Sequence, residues 1–355
     1  MKKILKFILW LILIVLLIGV IFIGFLTATE YKPEDVEDIE IRGEGRGHNV
    51  PVDESIKVIS WNTGYFALGK DSDFVMDGGG NAPAADRDTV NRYLTGIEKT
   101  LADNSDATIY MLQEVDINSS RSFSIDPRDE LSLGQNAHAL NYSCPFVPFP
   151  WPPMGKVNSG VFTTSSYDIT SAERISLPCP FSWPLRTANL KRCILASYMS
   201  VAGSDKQLVI VNLHLEAYDS GEGKIAQTRQ LCEFIQSEYE KGNYVIAGGD
   251  FNQVFPGGLD SYPNNHPENW IPGVLDNDGI PTGWTYAYDL NVPSCRLLNE
   301  PYDPTDTENT QYYVIDGFIL SPNVELESVD NLDMRFENSD HNPVKLSVKL
   351  LSGEE

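Results

Sequence analysis

Apolar and polar positions along the chain fall into one long unbroken run and many short alternating ones. The long run extends from Phe7 to about Ala28, enough at about 1.5 Å per helical residue to cross a hydrocarbon core of about 30 Å. Beyond it, Lys57–Asn62 alternates as a strand does, and Val90, Leu94, Ile97 and Leu101 recur at helical spacing over residues 87–103. Ala107–Gln113 reads as a second strand. Residues 117–158 read as loop-rich, with proline and aromatic residues crowded around Phe146–Pro153 and no obvious long apolar hairpin. Ser159–Thr164, Ile169–Ser176, Cys193–Val201 and Gln207–Leu215 read as consecutive strands, expected to be antiparallel neighbours. Lys224–Tyr239 is a helix with Ile225, Leu231 and Ile235 turned inward, leading into a strand that begins at Tyr244. Residues 253–311 are rich in Pro, Gly, Asn and Asp, and strands follow at Val314–Leu320, Val324–Val329 and Val344–Leu350. Many strands beside two amphipathic helices predict an α/β chain of stacked sheets with helices outside.

The first apolar run carries Lys2, Lys3 and Lys6 before it and no acid. It exceeds the apolar core of about 7–15 residues of a signal peptide, and Leu26-Thr27-Ala28 is a poor cleavage site, so an uncleaved anchor over 1–28 is expected. The lysines place the N-terminus in the cytoplasm and residues 29–355 outside, a single-pass protein of the cell membrane; a cleaved signal peptide would export the same body. Residues 29–55, acidic and holding Gly43, Gly45, Gly47 and Pro51, look like a tether, and 56–355 like one α/β domain.

Charge narrows the partners. The whole chain carries −24, and without its three N-terminal lysines the exported part carries −27. Phosphate backbones are bound through Lys and Arg, so nucleic acid is disfavoured, although a bound divalent cation reverses the sign locally. The five cysteines contain no C-x-x-C pair, which argues against zinc. Export permits disulfides, but the odd count leaves at least one thiol over. Cys193 and Cys232 read as buried thiols, and a pair such as Cys144 with Cys179 stays open.

Candidate chemistry sits at strand ends. In Tyr244-Val245-Ile246-Ala247-Gly248-Gly249-Asp250-Phe251-Asn252 a buried strand delivers a carboxylate and an amide to a sheet rim, the glycines leaving room for a ligand or a backbone. Asn62 and Glu114 close the first two strands; His214, Asp316, Asp340 and His341 occupy comparable places. Each alone fits a turn cap or a solvated acid. His48, His138 and His266 look like surface loop residues.

In order, Trp61-Asn62, Gln113-Glu114, Asn212-Leu213-His214-Leu215, Gly249-Asp250-Phe251-Asn252, Ile315-Asp316-Gly317 and Ser339-Asp340-His341-Asn342-Pro343 resemble the endonuclease/exonuclease/phosphatase superfamily, which includes pancreatic deoxyribonuclease, apurinic endonuclease, bacterial sphingomyelinases and inositol polyphosphate phosphatases. The likeness runs from about Lys57 to Leu350. Phe74–Gly79 and Leu190–Cys193 are similar to a membrane-anchored bacterial subgroup. The resemblance implies a four-layer sandwich, two packed, mainly antiparallel sheets flanked by helices, with the site at one edge. It implies Glu114 as principal Mg²⁺ ligand (Mn²⁺ being the substitute), with Asn62 and Asp340 completing or supporting the shell. Asp250 would orient or deprotonate water, and Asn252 would hold that water or the phosphate. His341, steadied by Asp316, and His214 would contact phosphoryl oxygens. Oxygen ligands suit Mg²⁺, and a carboxylate behind a histidine fixes its tautomer. The expected activity is metal-dependent hydrolysis of a phosphodiester or phosphomonoester by in-line attack of water, in a monomer, with a small or lipid-linked substrate favoured. An extracellular nuclease and a noncatalytic surface binding protein on the same fold are the alternatives. Arg121 and Arg192 are candidates for a second phosphate or headgroup contact, with surface salt bridges as the other reading, and Phe146–Pro153 could line a cleft, touch headgroups or form a rigid packed loop.

Overall fold

The computed structural model describes residues 2–84, 86–219, 221–276, 279–306 and 310–352. Helix α1 (Lys2–Ala28) stands out from the domain along most of its length. After it come β1 (Val36–Asp38), β2 (Ser55–Asn62), α2 (Arg87–Asp103), β3 (Ile109–Asp116), β4 (Gln135–Val147), β5 (Gly155–Ser165), β6 (Ile169–Ser176), β7 (Cys193–Ser200), β8 (Gln207–His214), α3 (Glu222–Glu240) and β9 (Tyr244–Asp250). The rest contains β10 (Gln253–Val254), α4 (Gly258–Ser261), β11 (Gly273–Val274), β12 (Thr285–Ala287), β13 (Cys295–Arg296), β14 (Tyr312–Tyr313), β15 (Asp316–Leu320), β16 (Val324–Asn331) and β17 (Val344–Leu350).

Two sheets face each other, one ordered β1-β6-β7-β8-β9-β15-β12 and the other β16-β17-β2-β3-β5-β4. Most neighbours are antiparallel, but β2 runs parallel to β3 and β8 to β9. A parallel pair needs a long crossover, and here each has a helix: α2 between β2 and β3, α3 between β8 and β9. The apolar clusters mark the four layers. Val58, Met111, Leu195 and Ile210 lie between the sheets; Val90, Ile97 and Leu101 of α2 cover Ile59 and Leu112; Leu231 and Ile235 of α3 cover Val209 and Val245. Fully burying such a side chain contributes about 1.5–3 kcal/mol. Helix α2 starts where the Asp86 carboxylate accepts the Thr89 N–H at 2.7 Å, an N-cap worth about 1 kcal/mol.

Several expectations are corrected. Residues 117–158 are loop-rich but also contain β4, which makes a long hairpin with β5 and whose apolar tip is Phe146–Pro153. Register shifts between Leu140 and Tyr142 and between Cys144 and Val147 break its alternation, which hides the strand in the sequence. Strand β5 is not a neighbour of β6 but belongs to the opposite sheet. The acidic segment expected to be a tether is laid on the domain. Its β1 extends β6, Arg42 bridges Asn136, and Val50 is buried beside Val201, because Ile39, Ile41, Val50 and Val52 supply apolar contacts that average composition conceals. Ile225 is 67% exposed: six residues before Leu231 it is turned about 240° away on a helix, and Lys224 and Gln227 take the inner face instead. His138 lies on β4 with its ring at 3.1 Å from the Val115 carbonyl oxygen, and burial lowers its pKa to about 4. All five cysteines are free thiols, Cys144 buried and Cys179 exposed.

Candidate active site

The carboxyl ends of both parallel pairs point to the same edge of the sandwich. Asn62 ends β2, Glu114 lies near the end of β3, His214 ends β8 and Asp250 ends β9. Register places His214 opposite Asp250 and Asp250 opposite Asp316, so three polar side chains form one row across β8, β9 and β15. In the other sheet the β3–β5 register shifts between Leu112 and Val115, and Glu114 takes a left-handed φ of 54°. This bulge turns successive side chains apart. Gln113 enters the sandwich and donates to Asn212 Oδ1 at 2.8 Å, while Glu114 enters the cleft. Asp340 and His341 arrive on the loop before β17, pinned where the Trp61 indole donates to the His341 carbonyl at 2.8 Å.

Seven of the eight residues singled out in the sequence line one cleft of about 300 Å³: Asn62, Glu114, His214, Asp250, Asn252, Asp340 and His341. The eighth, Asp316, sits behind His341, its Oδ2 at 2.8 Å from Nδ1, and the Ser294 hydroxyl donates to the same oxygen at 2.7 Å. The Asn62 amide donates to Asp250 Oδ2 at 3.0 Å and to Glu114 Oε1 at 3.3 Å, and its oxygen accepts the Gly64 N–H at 3.0 Å. Asn252 donates its backbone N–H to Asp250 Oδ1 at 2.8 Å and its side-chain amide to the Leu215 carbonyl at 2.9 Å. Its φ of 51°, rather than strand alternation, brings Asn252 to the cleft, while Phe251 points into the core beside Phe255. The glycines before Asp250 make room for protein, not for a ligand: a Cβ on Gly248 would lie 2.3 Å from Phe318.

Electrostatically the cleft is a cluster of crowded acids. Burial, then Asp316, pushes the Asp250 carboxyl up to about 7 although His341 opposes it. Burial, with Glu114 adding, brings Asp340 to about 7. Burial works against a charge on His341, but Asp316, Cys295 and Asp340 outweigh it and raise the imidazole well above the usual histidine range. His214 is driven the other way by burial and by Arg192, and stays neutral with Nε2 at 3.4 Å from Asp250 Oδ2. Glu114, Asp250 and Asp340 thus offer hard oxygen donors whose mutual repulsion a divalent cation would relieve. Cys295, the one thiol beside Asp340 and His341 among the described residues, is buried, and burial pushes it up to about 12.

The sequence did not single out Asp77 as a site residue, or Tyr218 and Trp270 at all, and these complete the cleft wall. The Tyr218 hydroxyl donates to Asp77 Oδ1 at 2.9 Å, and burial raises Asp77 to about 6. A motif outside the regular strands gives no periodic signal, so only the Phe74–Gly79 likeness pointed there. Arg121 and Arg192 line the same cleft and are buried rather than surface residues. Arg192 is buried, with Nε 3.6 Å from Glu216 Oε2. Arg121 Nε and Nη2 bind both oxygens of buried Asp116 at 3.0 and 2.8 Å, and its guanidinium lies 3.7 Å from the centre of the Tyr65 ring. Arg121→Met strands a fully buried carboxylate and is expected to cost about 3–5 kcal/mol in urea unfolding, most of it recovered by adding Asp116→Leu.

The family model described as the Endonuclease/Exonuclease/phosphatase family matches residues 59–341, which spans every polar strand end described above. The chain belongs to the endonuclease/exonuclease/phosphatase family. Among solved structures of this fold, a family protein from Beutenbergia cavernae is 15% identical with a TM-score of 0.53, over 84% of this chain and 72% of its own. One from Bacteroides thetaiotaomicron is 16% identical with a TM-score of 0.50, over 83% and 97%. A search of the curated proteins found no match. The endonuclease/exonuclease/phosphatase family is hydrolytic on phosphoesters, and the groups gathered between the two sheets are of the kinds such chemistry uses.

Proposed function

We propose that this chain is an exported, membrane-anchored phosphoesterase that uses a divalent cation, Mg²⁺ by its donor set, and hydrolyses a small or lipid-linked phosphoester by in-line attack of water. One observation carries the reading: Glu114, Asp250, Asp340 and the His341–Asp316 pair converge in a single cleft. Asp250, fixed through both oxygens by Asn62 and Asn252, is poised near neutrality to accept a proton from water. One N–H of the Asn252 side chain is given to the Leu215 carbonyl, which orients the amide so that its oxygen and second N–H can hold water or the phosphate. Asp316 holds His341 Nδ1, which leaves Nε2–H to donate to a phosphoryl oxygen, and the His214 Nε2 side is available for the same task. Glu114 and Asp340 would hold the cation, with Asn62 bracing Glu114, and the bound ion would offset charge on the phosphoryl group. The −27 charge beyond the anchor supports a small or lipid-linked substrate over a nucleic acid.

The test is hydrolysis of bis-p-nitrophenyl phosphate, a lipid phosphodiester, DNA and a phosphomonoester panel, with Mg²⁺ and with EDTA. Wild-type activity in EDTA, or in Glu114→Gln, would overturn the reading. Binding has a second readout. In EDTA the acids Asp250 and Asp340 have folded pKa values near 7, above the ordinary carboxylate value near 4, so their contribution to stability is full below about 4 and is lost as pH rises through about 7. Mg²⁺ at about 100 times its Kd adds about 2.7 kcal/mol, and the shift in thermal midpoint is expected to be larger at pH 8 than at pH 5. Equal midpoints with and without Mg²⁺ at pH 8 would exclude a cation from this cleft.

A further inference from the structure

Helix α1 does not leave the domain at an arbitrary point. Phe22 and Leu26 share one apolar cluster with Tyr142 and Val147 of the β4–β5 hairpin, against which Met154, Ala188 and Leu190 also pack. Phe22 meets Phe146 edge to face, with ring centroids 6.1 Å apart. The Trp183 indole donates to Thr27 Oγ1 at 3.0 Å, and Glu30, just past the helix, lies 3.2 Å from Arg186 and 3.5 Å from Lys191. Tyr142, Met154, Ala188 and Leu190 are also wall residues of the cleft that holds Glu114, Asp250 and His341. One side of that wall therefore rests on the end of the anchor.

Depth follows from helix geometry. The last flanking lysine is Lys6, so hydrocarbon of about 30 Å begins near Phe7 and extends about 20 residues, to about Leu26. Phe22 then lies about 6 Å inside that boundary, and Phe146, which touches it, lies at a similar level. The side chains around this contact stand out from the protein: Trp151 is 87% exposed, Leu185 68%, Trp183 57% and Phe149 56%. Such apolar side chains gain by leaving water, and indole rings favour the boundary between headgroups and hydrocarbon.

We propose that Phe149–Trp151 and Trp183–Leu185 form a second membrane contact beside α1, which seats the mouth of the cleft at the bilayer surface, so that the phosphoester it receives belongs to a membrane lipid. The headgroup enters past Met154, Ala188 and Leu190 while the acyl chains stay in the bilayer. For its chemistry this inference rests on the phosphoesterase reading; for its placement it rests on the rim alone.

The full chain, reconstituted in nanodiscs of phosphatidylcholine, phosphatidylethanolamine and phosphatidylglycerol, provides two readouts. First, the tryptophan emission present in wild type and missing from Trp151→Phe is expected to be quenched by acyl-brominated phosphatidylcholine. Second, the triple variant Phe149→Ser, Trp151→Ser, Leu185→Ser is expected to release lipid phosphate slower by about tenfold or more, since each 1.4 kcal/mol is a factor of ten, while its hydrolysis of bis-p-nitrophenyl phosphate stays unchanged. Unquenched Trp151 emission overturns the membrane contact. Wild-type cleavage of the soluble diester but of none of the lipids, or a triple variant as fast on lipid as wild type, overturns the substrate. If Trp151 is quenched but neither kind of diester is cleaved, the phosphoesterase reading fails and the lipid assignment falls with it.

Discussion

Asp250→Asn is expected to lower kcat by about 10²–10⁴, the usual worth of a positioned general base, without destabilising the fold. The substitution keeps the shape of the side chain and one of the two oxygens that accept from Asn62 and from the Asn252 backbone, gives up the other acceptor, and removes the capacity to take a proton. A residue that merely held the site together would lose stability along with turnover. Here the opposite sign is expected. Asp250 is held near 7 by burial and by Asp316, so at pH 8 without metal the protein carries an ionised carboxylate that its surroundings disfavour. Melting of Asp250→Asn in EDTA at pH 8 should therefore occur at or above the wild-type midpoint, and at pH 5, where Asp250 is protonated, the advantage should vanish. A variant with more than about a tenth of wild-type turnover would remove Asp250 from the proton transfer.

Gly249→Ala is expected to cost about 2–6 kcal/mol, enough to unfold much of the population at moderate temperature, since strain and overpacking each contribute about 1–3 kcal/mol. Gly249 has a φ of 141°, and a Cβ there would lie 2.0 Å from the Leu213 carbonyl oxygen and 3.2 Å from Gln113 Nε2. The first neighbour is backbone of the adjoining strand and cannot rotate away. Relief would require β8 and β9 to separate where His214 faces Asp250, so activity should fall together with the thermal midpoint. Gly80→Ala is the control: nothing lies within 4 Å of its Cβ position and its φ is unstrained, so the midpoint should hold or rise slightly. Equal midpoints for the two variants would show that the close approach at Gly249 yields without cost.

Much of this architecture was legible because strands and helices repeat. Helix α2 could be bounded from Val90, Ile97 and Leu101, and β9 from an apolar run closed by glycines. Polar residues at strand ends were conspicuous because hydrophobic neighbours framed them, and seven of them proved to share one cleft, with Asp316 behind. What stayed hidden was whatever departs from a period. Bulges broke the alternation of β4, so a strand and its apolar tip passed for loop. Glu114 was recognisable as a candidate, but the turn of backbone that separates it from Gln113 was not. For Arg121 and Arg192 a phosphate contact and a surface salt bridge both stayed open, because a sequence does not reveal that Asp116 and Glu216 are buried beside them at the cleft. Tyr218 and Asp77 are far apart in sequence, and nothing local announces that they meet.

Gln113 and Asn212 have a consequence of their own. Gln113 reaches across the sandwich to Asn212, which in turn donates to the Phe162 carbonyl at 2.9 Å and the Leu112 carbonyl at 3.2 Å. Packed methyl groups tolerate small sliding, but these hydrogen bonds have fixed lengths and directions. They act as a spacer beneath Glu114 on one leaf and Asp250 on the other, so the gap between the two halves of the candidate site is set by the reach of two amides. Trimming an aliphatic side chain deeper in the interior should then soften the molecule to heat while leaving turnover almost untouched, a separation of durability from rate that would disappear once the spacer itself is shortened.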